Sequence, residues 1–171
     1  ETEAIGINNR VHLATAEKQM QARINEAWML AGVTIIDPDT TMIEADVKIG
    51  QDTVIYPNTY LRAGTTIGEA CQIGPDAIVI DTQIGNQVMI IASMAERATL
   101  ADRVTMGPYC HLRKGAVLKE GVHLGNFAEV KDSVLGAETK MGHMSYIGNA
   151  MIGKRVNIVA GTITCNYDGE M

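Results

Sequence analysis

An all-β solenoid, a left-handed parallel β-helix preceded by one α-helix, is the fold this sequence predicts, and three observations carry it. Aliphatic residues recur every six positions at Ile43, Ile49, Ile55, Leu61, Ile67, Ile73 and Val79, and again from Leu100 through Leu112 to Val130. Neither a helix nor a flat strand gives that period alone. Four places after the aliphatic stands a small or β-branched residue, as at Thr53, Thr65, Cys71, Ala77, Cys110, Ala116 and Ala128. Aromatic residues make up only 4% of a chain that is 46% hydrophobic, so small and aliphatic side chains must fill the core in a regular way.

The helix comes first, over residues 9–32. Leu13, Ala16, Met20, Ile24, Ala27, Trp28 and Ala31 fall three or four apart, with Glu17, Lys18, Arg23 and Glu26 on the other side. Asn9 suits the N-cap and Gly32 the C-terminal stop. Such a stripe is expected to lie on the next structural unit.

The repeat then occupies residues 33–171. Three sides of about six residues make one coil, with the aliphatic residue at the axis and glycine relieving the corner. Coils stacked about 4.8 Å apart as parallel strands give roughly seven turns and a prism a little over 30 Å long. The period skips a residue at Val79 to Ile84, Val130 to Leu135 and Ile147 to Ile152, and blurs between Ile90 and Leu100. The pattern is still running where the sequence stops. A bare sheet edge must be capped or continued, so the β-helix is expected to be truncated at its C-terminal end.

Charge and cysteine content exclude several functions. With 14 basic against 20 acidic residues the net charge is -6, which argues against a nucleic-acid partner. Three widely spaced cysteines without a CxxC pair suit free thiols in a reducing compartment better than disulfides or zinc. No apolar run or leader suggests a membrane, and a cytoplasmic location is expected.

Arg113 and Lys131 stand eighteen residues apart, each one place after an inward aliphatic, so they are expected at the same corner of adjacent coils. Two like charges about 5 Å apart repel by roughly 1 kcal/mol in water. A dianionic phosphate between them turns that repulsion into attraction. Alternatively Glu129, Asp132 or Glu120 neutralises them, or they splay into solvent. His143 is expected to face outward on the coil next to Lys131, beside the cation stack. Acylating an amine requires removal of its proton, a task for an imidazole. A solvated surface histidine is the plainer reading, as for His12, His111 and His123, which do not form the close pair of a β-helical zinc carbonic anhydrase. Cys165 reads as a small core filler rather than a nucleophile.

Within residues 107–169 the stretches GPYCHLRKGAVL, HLGNFAEVKDSVLG, KMGHMSYIGNAMIG and VNIVAGTITCNYDG are more specific than the repeat. Together with GINNR and the helix ending LAGV, they resemble the bacterial bifunctional N-acetylglucosamine-1-phosphate uridyltransferase / glucosamine-1-phosphate N-acetyltransferase family. The resemblance implies a C-terminal acetyltransferase domain that moves acetyl from acetyl-CoA to the amine of glucosamine-1-phosphate, in UDP-N-acetylglucosamine synthesis for peptidoglycan and lipopolysaccharide. It further implies His143 as general base, and Arg113, Lys131, Tyr146 and Asn157 as sugar-phosphate ligands. The backbone N–H of Ala160 becomes a donor to the thioester oxyanion, Asn166 and Tyr167 contacts to acetyl-CoA, and the assembly a homotrimer. Residues 1–8 then read as the remnant of a junction with a missing nucleotidyltransferase domain, where Asn8 matches a magnesium ligand. Missing coils after NYDG would hold much of acetyl-CoA, so the chain alone is expected to turn over slowly or not at all. Lys114 and Val159 depart from the family pattern. Two alternatives stay open: a β-helical trimerisation module without activity, and another hexapeptide-repeat acyltransferase.

Overall fold

The computed structural model describes residues 6–166 and Gly169. Helix α1 (Arg10–Leu30) opens where Asn9 Oδ1 accepts the His12 backbone N–H at 2.9 Å. It closes before Gly32, whose φ of +94° is a left-handed turn that a side chain would strain. The expected stripe does not bury along its length. Leu13 and Met20 remain 51% and 55% exposed, while Ile24 and Trp28 pack on the core. The cause is reach: α1 packs chiefly on the first two strands of the prism, so its later turns have most to cover. Its anchor is polar. Buried Asn25 donates from Nδ2 to the carbonyls of Pro38 at 3.0 Å and Thr41 at 3.1 Å.

Strands β1 (Thr34–Ile35), β2 (Met42–Ile43) and β3 (Lys48–Ile49) make the first coil and start three parallel sheets of eight, seven and seven strands. Further strands follow in threes until Met151–Ile152 closes the seventh coil and Asn157–Ile158 begins another. Every strand has two to four residues, because each six-residue side spends the rest on its corner. The sheets are called here faces one, two and three, beginning respectively with β1, β2 and β3.

The ladder also accounts for the irregular stretches of the repeat. On face one Ile55, Ile73, Ile90, Met106, Leu124, Met141 and Ile158 lie in register. Residues are dropped at corners, so the inward column stays whole. Between Ile90 and Leu100 the inward residue is Ala95, fully buried between Val79 and Leu112, which a search for large aliphatics passes over.

Small residues at the corners tie coil to coil. Thr53 Oγ1 donates to the Gly68 carbonyl at 2.9 Å and accepts the Cys71 N–H at 3.1 Å, and Thr139 Oγ1 donates to the Gly153 carbonyl at 2.8 Å. Each such bond satisfies a backbone group that the turn would otherwise bury unpaired. Cys71 and Cys110 occupy equivalent places, and burial pushes both thiols above the usual range. Cys165 does not fill the core, contrary to expectation. With Tyr146 bridged to Ile163, the next inward place falls on Thr164, and Cys165 lies one beyond it, exposed. Among the described residues no helix is long and apolar enough to cross a membrane.

Candidate functional site

The last strands of face two assemble the candidate site. Leu112, Val130 and Ile147 stack inward in register and are almost wholly buried. That alternation turns His111, Glu129 and Tyr146 outward in a second column. One place further along, at the corner leaving face two, come Arg113, Lys131 and Gly148. Lys131 pairs in register with Gly148, and the Arg113 N–H donates to the Val130 carbonyl at 2.9 Å. The two cations therefore occupy one corner of adjacent coils, as their spacing requires.

Neither cation stands alone. Arg113 Nη1 meets Glu129 Oε1 at 3.0 Å, and Lys131 Nζ lies 3.7 Å from Asp132 Oδ2. Both pairs are more than a third exposed, and water screens such pairs to about 1 kcal/mol or less. Charge-assisted bonds to a phosphate contribute about 1.5–3 kcal/mol each, enough to displace the resident carboxylates. Below Arg113, Glu96 faces Arg97 Nη2 at 3.6 Å and His111 Nε2 at 3.5 Å. His111 Nε2 is closed off from solvent with no hydrogen-bond partner.

His143 is exposed at the corner between Lys140–Met141 on face one and Ser145–Gly148 on face two. Its coil adjoins that of Lys131, but the two residues sit at opposite ends of the face, not side by side. Five residues of extended chain, about 16 Å, separate the Cα positions of 143 and 148, with Tyr146 between. This corner also departs from the repeat. Asn58, Asp76, Ala92, Tyr109 and Phe127 turn with left-handed φ, whereas Met144, the register equivalent of Phe127, does not. Beneath it Tyr109 and Phe127 stack with centroids 5.5 Å apart, both exposed.

The remaining sequence-derived residues are dispersed. Asn157 lies exposed on face one, paired with Lys140, and borders a groove of about 750 Å³ that Arg103, Glu138 and Arg155 also line. Ala160 is exposed one coil beyond the His143 corner, where Gly161 N–H donates to the Met144 carbonyl at 2.8 Å. Asn166 donates from Nδ2 to Asn149 Oδ1 at 2.6 Å. Tyr167 lies outside the described residues. Asn8 is exposed, its backbone N–H 3.4 Å from His12 Nδ1. Among the described residues no group of three or more His, Cys, Asp or Glu stands where it could hold a metal ion; the magnesium role expected of Asn8 belongs to the context of a nucleotidyltransferase domain. Gly148, beside Lys131 in its column, reads in the sequence as one more repeat glycine. Its place in the Lys131 column was the available signal.

Residues 46–81 match the family model of the bacterial transferase hexapeptide (six repeats). The bifunctional protein GlmU of Halalkalibacterium halodurans is 49% identical over 168 residues, covering 98% of this chain and 37% of that protein. Its counterpart in Carboxydothermus hydrogenoformans is 50% identical over 170 residues, covering 99% of this chain and 38% of its own length. LpxA from Acinetobacter baumannii overlays 75% of this chain and 66% of its own at 16% identity, with a TM-score of 0.48. The chain spans a little over a third of the length of the curated relatives it matches. It is thus a hexapeptide-repeat chain that, over nearly all its length, is similar to that third of the bifunctional GlmU proteins.

Proposed function

We propose that this chain is a glucosamine-1-phosphate N-acetyltransferase region that takes its acetyl group from acetyl-CoA in the cytoplasm. The observation that carries the reading is the arrangement of face two: a stacked cation pair at one corner, Tyr146 across the middle, and His143 at the other corner. The phosphate exchanges with Glu129 and Asp132 on Arg113 and Lys131. The hexose lies across Tyr146 with its amine toward His143. Long side chains reaching inward and the length of a hexose phosphate together span the face.

For reaction, the neutral amine attacks the thioester carbonyl and the new C–N bond forms as His143 takes the amine proton. The C–S bond breaks, and the coenzyme A thiolate leaves and is protonated. The Ala160 amide is suited to the oxyanion, since a fixed N–H needs no side chain. Asn166 and Tyr167 are assigned to acetyl-CoA. The magnesium role expected of Asn8 belongs with a nucleotidyltransferase domain and enters no step of this reaction.

Asn157 on face one and Tyr146 on face two point away from each other around a convex corner. One sugar touches both only where face one of one chain meets face two of another. Such a heterologous contact can close into a ring by rotation, and the ring proposed is the homotrimer of parallel prisms that the family resemblance implies. A purely assembling module remains the rival reading, favoured by the resident carboxylates on Arg113 and Lys131. Coenzyme A release with glucosamine-1-phosphate as acceptor, in the chain extended to the length of its relatives, separates the two. His143→Ala is expected to lower turnover by about 100- to 10,000-fold; full activity in that variant moves the base elsewhere, and no release in the extended wild type leaves the assembling module.

A further inference from the structure

We infer that Gly148 is a positioning residue: its missing side chain leaves the slot in which the Tyr146 ring lies above the cation corner. The inference rests on the proposed phosphate site and deepens it. Gly148 does not have a left-handed φ, so its backbone conformation does not call for glycine. Nor can that backbone retreat. The Gly148 N–H donates to Thr164 Oγ1 at 2.7 Å, and Thr164 Oγ1 donates back to the Gly148 carbonyl at 3.0 Å. A Cβ built at Gly148 has as its three nearest neighbours only Tyr146 atoms: the hydroxyl oxygen, then Cζ at 2.7 Å and Cε1 at 2.8 Å.

Other crowded glycines differ. At Gly50, Gly125 and Gly136 a Cβ runs into the backbone of the next coil, so those glycines serve the stacking of the prism. At Gly148 the clash is with the far end of one ring, which two torsions can swing away. Because Gly148 pairs with Lys131, a ring lying against it places its hydroxyl over the column of Lys131 and Arg113. There the hydroxyl donates to the phosphate that the cations receive. A methyl at 148 leaves the fold standing and turns the phenol out of the site.

The test joins a crystal structure with a binding cycle on the intact chain. In Gly148→Ala the ring is expected to leave its slot and the melting temperature to stay within about 2 °C of wild type. Calorimetric affinity for glucosamine-1-phosphate should fall about ten- to a hundredfold, the loss of one hydrogen bond to a charged group. Tyr146→Ala should lose as much, and the double variant no more than either single change. Losses that multiply in the double variant, or an undisplaced ring with full affinity, overturn the proposal. If Gly148→Ala fails to fold, the Gly148→Ala/Tyr146→Ala pair is expected to fold, and its failure to do so also overturns it. Absence of binding by wild type defeats the sugar-phosphate reading and the hydroxyl's role, while the crystal structure still decides whether the slot exists.

Discussion

Glu44 shows how a single exposed carboxylate can matter in a ladder of short strands. It accepts the Ala63 N–H at 2.7 Å and Arg62 Nε at 2.9 Å, and the backbone bond first, then the guanidinium, hold its pKa below the usual carboxylate value. A depressed folded pKa means a contribution present above the unfolded pKa and lost as pH falls through the folded one. Glu44→Gln is therefore expected to destabilise the chain at neutral pH by less than about 1 kcal/mol. Melting curves of the two proteins should converge below about pH 4, where an unperturbed glutamate also protonates; a gap that persists in acid rules out the linkage. At this scale the sequence was informative about position and silent about partners. Spacing placed Arg113 over Lys131, because period arithmetic fixes backbone register. It could not choose among Glu129, Asp132 and Glu120 as neutralising groups, since side-chain torsions decide that. Nor did it separate His143 from the cations, because adjacency of coils says nothing about which end of a face a corner occupies.

Elements here are stabilised by stacking, and glycine marks where stacking is tightest. At Gly125 a Cβ meets the Gly142 carbonyl and its neighbours, whereas at Gly142 nothing lies within 4 Å. Neither has a left-handed φ, so the pair isolates close approach from backbone conformation. Gly125→Ala is expected to cost about 1–3 kcal/mol, as overpacking does, and Gly142→Ala less than about 0.5 kcal/mol, as for an uncrowded surface change. Equal urea midpoints for the two variants would contradict this. Helix α1 is held differently, by the hydrogen bonds of buried Asn25 together with Ile24 and Trp28 packed on the core. Asn25→Ala leaves two carbonyls without a donor, so hydrogen exchange along α1 should accelerate while the prism strands keep their protection. The helix itself was legible because its caps and its 3.6 period are local. Its poor burial was not, since that depends on how few strands lie within its reach.

Over the whole molecule, the repeat carried the fold: a six-residue period with small residues at the corners admits few arrangements besides stacked triangular coils. The blur at Ala95 was the price of searching for large side chains. The proposed function rests on the specific segments between residues 107 and 169, and the structure adds that Arg113, Lys131 and Tyr146 belong to face two while Asn157 lies on face one. In the proposed site one sugar touches Asn157 and Tyr146 on different faces, which takes more than one chain, and sedimentation equilibrium at tens of micromolar is expected to give three times the monomer mass; monomer alone contradicts the shared site. The central claim is that the Arg113 and Lys131 corner receives a sugar phosphate, and calorimetry with glucosamine-1-phosphate tests it most directly. Wild type should bind, and Arg113→Ala and Lys131→Ala should each lose about 1.5–3 kcal/mol, roughly ten- to a hundredfold or more in affinity. Equal affinities in wild type and both variants would contradict the assignment.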